Sequence, residues 1–354
     1  MKKKTTDKIR FNKRIFLTVL CVVLAVILVG LISVTAYMEK LMGLIGREPN
    51  DSTLSPSEYE DFFTHPTETM DPSKPIETID PGDVEWETYP DPVEDDKNII
   101  NIMLIGQDRR PGDKRANSDV MILCSFNRTT KELTLVSFMR DMYVPIPGYF
   151  DYKMNAAYLL GGMKTLNACL ESNFGVYVDG NVEVDFNGFI GLIDLVGGIE
   201  MELTQAEADY LNNERGLQDT SGSYDWKLTS GKNYLSGGQA LAYARIRKVG
   251  HGDFDRTERQ RKVIAALVDK CRSMNFSQLK TLMEEALPLL TTDMTNREIL
   301  SYIVTVLPSL SNMQIKTLRL PADGTYRYAW VKDMSVLLPD LEACRKILKE
   351  AIGG

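Results

Sequence analysis

"NIINIMLIGQD" (residues 98–108) runs almost wholly apolar and then stops on a glycine and a carboxylate. Such a run suits a buried strand. "SDVMILCSFN" (118–127) and "KELTLVSFMRD" (131–141) read as two further strands joined by a polar turn. Sheets of this kind hold their working groups where strands end and loops begin. Here those ends carry Asp108, Asp119 and the adjacent pair Arg140 and Asp141. Downstream, "KMNAAYLLGGMKTLNACLESNFG" (153–175) reads as helical, and "DFNGFIGLIDLVGG" (185–198) as a second helix closed by two glycines. "SGGQALAYA" (236–244) is a short helix that delivers Arg245 and Arg247 at its end. Residues 98–354 suffice for one large α/β domain, a mixed central β-sheet flanked by helices on both faces.

The chain upstream of that domain is of a different kind. Residues 1–14 carry seven basic side chains against Asp7, and the 23 residues 15–37, "IFLTVLCVVLAVILVGLISVTAY", carry no charge. At ~1.5 Å per residue such a run spans the ~30 Å hydrocarbon core. It is longer than the apolar part of a cleaved signal peptide. The expectation is a cytoplasmic tail (1–14), a transmembrane helix (15–37) and everything after it outside the cell membrane. Residues 48–97 hold eight of the fifteen prolines and sixteen acidic residues against two lysines. That composition predicts a disordered acidic stalk over 38–97, with the folded domain beginning at 98. The formal net charge of −8 belongs to the stalk, and residues 98–354 are nearly balanced. Cys124, Cys169, Cys271 and Cys344 are spaced too widely for a zinc pattern and read as buried free thiols, with a disulfide as the alternative.

Against that balance, "YARIRKVGHGDFDRTERQRKVI" (243–264) concentrates five arginines and two lysines. Asp255 and Glu258 have the spacing of a capping box that opens a helix. Arg256, Gln260, Ile264 and Leu267 then share one face. The apolar part of that face belongs to the core, so Arg256 and Gln260 turn inward at a helix N-terminus, where anions are favoured. Arg259, Arg261 and Lys262 fall off that line and read as solvated. Singly, each of these residues has a plainer reading: a turn, a cap, a structural ion pair. Together, carboxylates at strand ends and inward arginines suggest a magnesium-bridged pyrophosphate, since magnesium takes one or two carboxylates plus phosphate oxygens and arginines fork onto the rest.

The strings "LIGQD", "NSDVMIL", "VSFMRDMYVPIPG", "KMNAAYLLGG", "VDFNGFIGLIDLVGGI" and "LSGGQALAYARIRK…GDFDRTERQRKVI" resemble, in order, the signature segments of the LytR-CpsA-Psr family, over residues 98–270. The resemblance implies a phosphotransferase that moves an anionic glycopolymer (teichoic acid, capsular or secondary wall polysaccharide) from an undecaprenyl-pyrophosphate-linked donor onto peptidoglycan. It implies magnesium (or manganese) held by Asp108 and Asp119, and pyrophosphate bound by Arg115, Arg140, Arg245, Arg247, Arg256 and Gln260. Asp119, Arg140 and Arg256 are the expected catalytic groups, with Asp119 as the base. Two positions depart from the family pattern. Asn117 stands where members often carry arginine, with Arg115 nearby, and Val144 stands at a second such place.

The stripe Phe186, Phe189, Ile190, Ile193 and Val196 is a candidate wall for the family's polyprenyl pocket, though such stripes are more often plain core. Two other functions use the same features. Water as acceptor would make the protein a polyprenyl-pyrophosphate hydrolase, and a non-enzymatic envelope regulator is the third reading. The expected partners are the lipid-linked glycopolymer, peptidoglycan and membrane lipid. Nucleic acid is not among them, because the arginines lie beyond the membrane span.

Overall fold

The apolar alternation of residues 99–107 sets the layering. In a computed structural model, which describes residues 36–37, 39–48, 77–87, 95–107, 115–213 and 226–353, this strand sits centrally in a seven-stranded sheet. The chain forms two bodies, 1–44 and 45–354. Among the described residues no helix is long and apolar enough to cross a membrane. The expected span 15–37 lies outside them except for its last two residues.

The second body opens with β1 (Gly46–Arg47) and β2 (Glu77–Thr78), followed by β3 (Ile99–Gln107), β4 (Ser118–Asn127) and β5 (Glu132–Phe138). A small hairpin, β6 (Tyr143–Val144) and β7 (Tyr152–Lys153), leads to α1 (Ala156–Phe174). Next come β8 (Gly180–Asp185), α2 (Phe186–Leu195), β9 (Ile199–Leu203), α3 (Gln205–Asn213), β10 (Gly231–Leu235) and α4 (Gly237–Ala244). The last third holds α5 (Asp253–Arg272), α6 (Phe276–Ala286), β11 (Thr291–Thr292), α7 (Asn296–Val306), β12 (Gln314–Leu320), β13 (Tyr326–Val331), β14 (Met334–Pro339) and α8 (Leu341–Gly353).

The large sheet has the order β1-β11-β8-β3-β4-β5-β12. β3–β4 and β4–β5 are antiparallel, whereas β8 on β3 and β12 on β5 are parallel, so the sheet is mixed as expected. Successive side chains point to opposite faces. Met103, Ile105, Met121 and Leu123 are sealed under α1 and α8. Ile100, Ile122, Phe126 and Leu135 face the other way, toward Ile264, Ala265 and Val268 of α5 and Tyr302 and Val306 of α7. Helices therefore cover both faces. A separate cluster packs β9 and β10 against α2, α4 and α5.

Three sequence expectations need correction. The stalk assigned to 38–97 is not wholly detached from the domain. β1 pairs with β11, and β2 pairs in parallel with β13. Ile79 is buried beside Val331 and Val336, and Trp86 donates from Nε1 to Asp151 at 2.7 Å. Composition averaged over fifty residues hides such short docking pieces, because a few apolar side chains suffice to seat them. The second correction concerns the helix read over 153–175, which begins at Ala156 and kinks at Gly161–Gly162. Gly162 has φ +65°, a conformation that favours glycine. The Met163 amide near the kink is taken up by the Glu48 carboxylate at 3.0 Å. Third, α5 starts at Asp253, two residues before the expected box. Gly252, with φ +64°, starts it, and the Asp255 carboxylate accepts from the His251 amide at 2.8 Å rather than capping the helix.

Candidate active site

β4, β5 and α5 bring their ends together at one edge of the domain. Arg140, in the turn after β5, is the centre of the charges there. Its Nη1 donates to Asp119 Oδ1 at 2.7 Å, its Nη2 lies 3.2 Å from Asp253 Oδ2, and its Nε lies 3.4 Å from Asp141 Oδ2. Lys153 Nζ, on β7, reaches Asp141 Oδ1 at 3.2 Å. Burial opposes the charge of Arg140, but Asp141, Asp253 and Asp119 outweigh it and hold its pKa above the ordinary guanidinium value. Burial likewise works to raise Asp141, and Lys153 and Arg140 outweigh that effect, so its pKa falls below the ordinary carboxylate value.

Asp253 is the shared carboxylate. Besides Arg140 it meets Arg247 Nε at 3.4 Å and Arg256 Nη2 at 3.5 Å. Arg256 is 4% exposed, and its Nε is buried without a hydrogen-bond partner. Its pKa is lowered to about 10, first by burial and then by the charge of Arg140, with Asp253 offsetting only part. Both arginines keep a buried Nε without a hydrogen-bond partner, but three carboxylates surround Arg140 whereas Asp253 alone reaches Arg256. A buried guanidinium with an unmet donor is a costly arrangement that an anionic ligand relieves. Arg256 also sits in the first turn of α5, where the free amides and the dipole favour negative charge.

The other expected residues fall into place unevenly. Asp119, Arg140, Arg247 and Arg256 converge. Gln260, one turn behind Arg256, is buried and donates to the Ala244 carbonyl at 3.5 Å. Arg245 caps α4 and lies over the Phe186 ring, 4.4 Å from its centroid. Arg115 bonds instead to the carbonyls of Tyr158 and Leu159 on α1, at 3.3 and 3.4 Å. Asp108 lies outside the described residues.

Two arginines read as solvated are not. Arg259 is buried: its Nε donates to Glu207 Oε1 at 2.7 Å, Nη1 to the Ile246 carbonyl at 3.2 Å and Nη2 to that of Val249 at 2.9 Å. It fastens the 245–252 loop to α5 and α3. Arg261 is buried as well, while Lys262 is exposed and pairs with Glu258 at 2.7 Å. Sequence reasoning also passed over Asp253 and Lys153. The displaced helix start had put Asp253 in a loop, and Lys153 carries no local pattern that distinguishes it.

Behind the arginines the α5-facing side of the sheet is less completely covered than the side under α1. Met103, Ile105, Met121 and Leu123 are at most 2% exposed, whereas Ile102, Leu104 and Val120 on the same strands, facing α5, are only half-buried. Phe186, Phe189 and Ile190 at the start of α2 are half-buried too, while Ile193 and Val196 are core. The four cysteines Cys124, Cys169, Cys271 and Cys344 are free.

A mixed α/β sheet with paired carboxylates and arginines at its strand ends, backed by an incompletely covered apolar face, defines an enzyme-like anion site. The model of the LytR_cpsA_psr family matches residues 64–351, and the chain belongs to that family. It is 34% identical over 194 residues to regulatory protein MsrR of Staphylococcus aureus (strain Mu50 / ATCC 700699), covering 55% of each chain. It is 37% identical over 185 residues to the polyisoprenyl-teichoic acid–peptidoglycan teichoic acid transferase TagU of Enterococcus faecalis, covering 51% of this chain and 56% of that one. The chain therefore spans about half the length of the curated relatives it matches. Among solved structures, TagT bound to LI-WTA superposes with a TM-score of 0.58 at 25% identity, over 74% of this chain and 94% of that one.

Proposed function

We propose that the chain is a membrane-anchored phosphotransferase, working outside the cell membrane. It moves an anionic glycopolymer from an undecaprenyl-pyrophosphate-linked donor onto peptidoglycan and leaves a phosphodiester. The observation that carries this reading is Arg256, buried with an unmet donor beside Arg140, Arg247 and Asp253, at the margin of a half-covered apolar face. A ligand with a diphosphate and a long apolar tail answers both features. The transferase activity that TagU is named for and the wall-teichoic-acid ligand of TagT support the same reading.

In this reaction a glycan hydroxyl oxygen bonds to the phosphorus that carries the polymer. The bond from that phosphorus to the bridging oxygen breaks, and polyprenyl phosphate leaves. Such chemistry asks the protein for positioning and charge neutralisation. Arg140, Arg247 and Arg256 hold the phosphate oxygens and stabilise the charge on the leaving group. Asp119 takes the hydroxyl proton, oriented by its bond to Arg140. A magnesium ion shared with substrate needs one or two protein carboxylates, and the described residues offer one, Asp119, whose Oδ1 also accepts from Arg140. Among the described residues no three His, Cys, Asp or Glu side chains form a metal cage, while Asp119 offers a part-exposed carboxylate. Magnesium held by Asp119, with Asp108 as the second expected ligand, would neutralise phosphate charge when bound.

Purified chain supplied with a polyprenyl-diphosphate glycan, magnesium and a peptidoglycan oligomer should yield polymer-bearing peptidoglycan and polyprenyl monophosphate in equal amounts. Monophosphate with only free polymer phosphate would make the protein a hydrolase. Formation of neither product would overturn the reading.

A further inference from the structure

Phe254 directly follows Asp253, and the Arg319 guanidinium lies over its ring, with Cζ 4.3 Å from the centroid. Tyr326 stacks on Phe254 at 5.6 Å, and Tyr328 meets Tyr326 edge-on at 5.7 Å. Tyr328 is 52% exposed, so the row of rings ends at the surface. Seven residues along α5 from Phe254, and so on the same helix face, stands Arg261. It is 6% exposed, and its Nε and Nη1 are buried without hydrogen-bond partners. Burial lowers its pKa to about 10, with Glu258 opposing and the charge of Arg319 adding to the fall. Two mutually repelling arginines and a file of aromatic faces thus share the seam between α5 and the end of β12.

That seam lies on one flank of the arginine cluster. β12 is the outermost strand beside β5, whereas the half-covered apolar residues Ile102, Leu104 and Val120 belong to β3 and β4. A donor whose tail occupies the β3–β4 side leaves the β12 side to the second substrate. Sugar rings stack their C–H faces on aromatic rings, and a carboxylate would satisfy the donors of Arg261. We propose that this seam is the acceptor subsite, taking a glycan strand of N-acetylated sugars that bears carboxylates, the chemistry of peptidoglycan. The proposal rests on the transferase reading for its role in turnover, but glycan binding can be read without turnover.

The test titrates the full-length chain in detergent with a GlcNAc–MurNAc tetrasaccharide and with its carboxyl-reduced counterpart. Wild-type protein should prefer the carboxylated glycan. Tyr328→Ala and Arg261→Met should each weaken its binding at least tenfold, a loss at least tenfold greater than their loss of affinity for a polyprenyl diphosphate. Arg261→Met should also keep or raise the melting temperature, since it removes an unmatched buried charge. Should it fail to fold, the exposed Tyr328→Ala carries the comparison. No glycan binding by wild type, no preference for the carboxylate, or an equal loss of both ligands would overturn the subsite. Absence of transfer with glycan binding intact would instead count against the transferase reading.

Discussion

Arg256 and Lys262 stand on one helix and separate ligand charge from surface charge. Removing a charge-assisted contact to phosphate costs roughly 1.5–3 kcal/mol, so Arg256→Ala should lower donor binding or turnover about ten- to a hundredfold. Lys262→Ala should be nearly silent, because its pair with Glu258 is solvent-exposed. Measured in one transfer assay, equal activities would return the cluster to structure alone. Arg259→Ala should act differently. It leaves Glu207 without its charged partner and with only its bonds from Thr204, and breaking a buried pair costs about 3–5 kcal/mol, readable as a fall in denaturant midpoint. The i, i+4 spacing made Arg256 and Gln260 legible as inward, because both continue the apolar stripe. The same reasoning failed for Arg259 and Arg261. A helix period gives angles from one buried face and cannot show that α3 and β9 cover one flank and the end of β12 another.

At the level of elements, Thr204 and Glu207 begin α3 with reciprocal bonds, the Glu207 carboxylate accepting from the Thr204 amide at 2.9 Å and the Glu207 amide donating to Thr204 Oγ1 at 3.3 Å. Burial works to raise Glu207, and Thr204 and Arg259 outweigh it, so its folded pKa lies below the ordinary 4.5. A depressed carboxylate contributes stability that is fully present above its unfolded pKa and is lost as pH falls through the folded one. Melting temperature should therefore drop as pH is lowered below about 4.5, and the drop should be shallower in Glu207→Gln. The strands at 98–108, 118–127 and 131–141 were readable because buried strands leave unbroken apolar runs. Two-residue strands such as β1 and β2 leave none, and the partners that hold them, β11 and β13, lie more than two hundred residues away. Trp86→Ala should show that this docking matters. Its half-buried ring and its bond to Asp151 predict a loss of about 2 kcal/mol, below the usual range for a fully buried Trp, in thermal unfolding.

For the whole molecule, the class of fold and the order of its motifs were legible, and the site was legible in its arginines more than in its carboxylates. Asp253 was missed because three arginines select it in space and nothing selects it in sequence. The proposed exterior placement rests on charge: seven basic residues precede an uncharged stretch of 23. Protease added to intact, wall-stripped cells should remove the domain after residue 45, and full protection would refute an exterior site.

Because β1 at 46–47 and β2 at 77–78 are both fastened to the same body, the segment between them has both its ends on that body. A path that starts and finishes on one object adds nothing to the length of a leash. Inserting a flexible Gly/Ser stretch within 49–76 should leave the working distance of the catalytic domain as it was, whereas the same insertion just before Ile45 should extend it. On the proposed membrane-anchored reading, the reach of the domain is then set by the chain before Ile45, and not by the sixty residues that the composition had suggested.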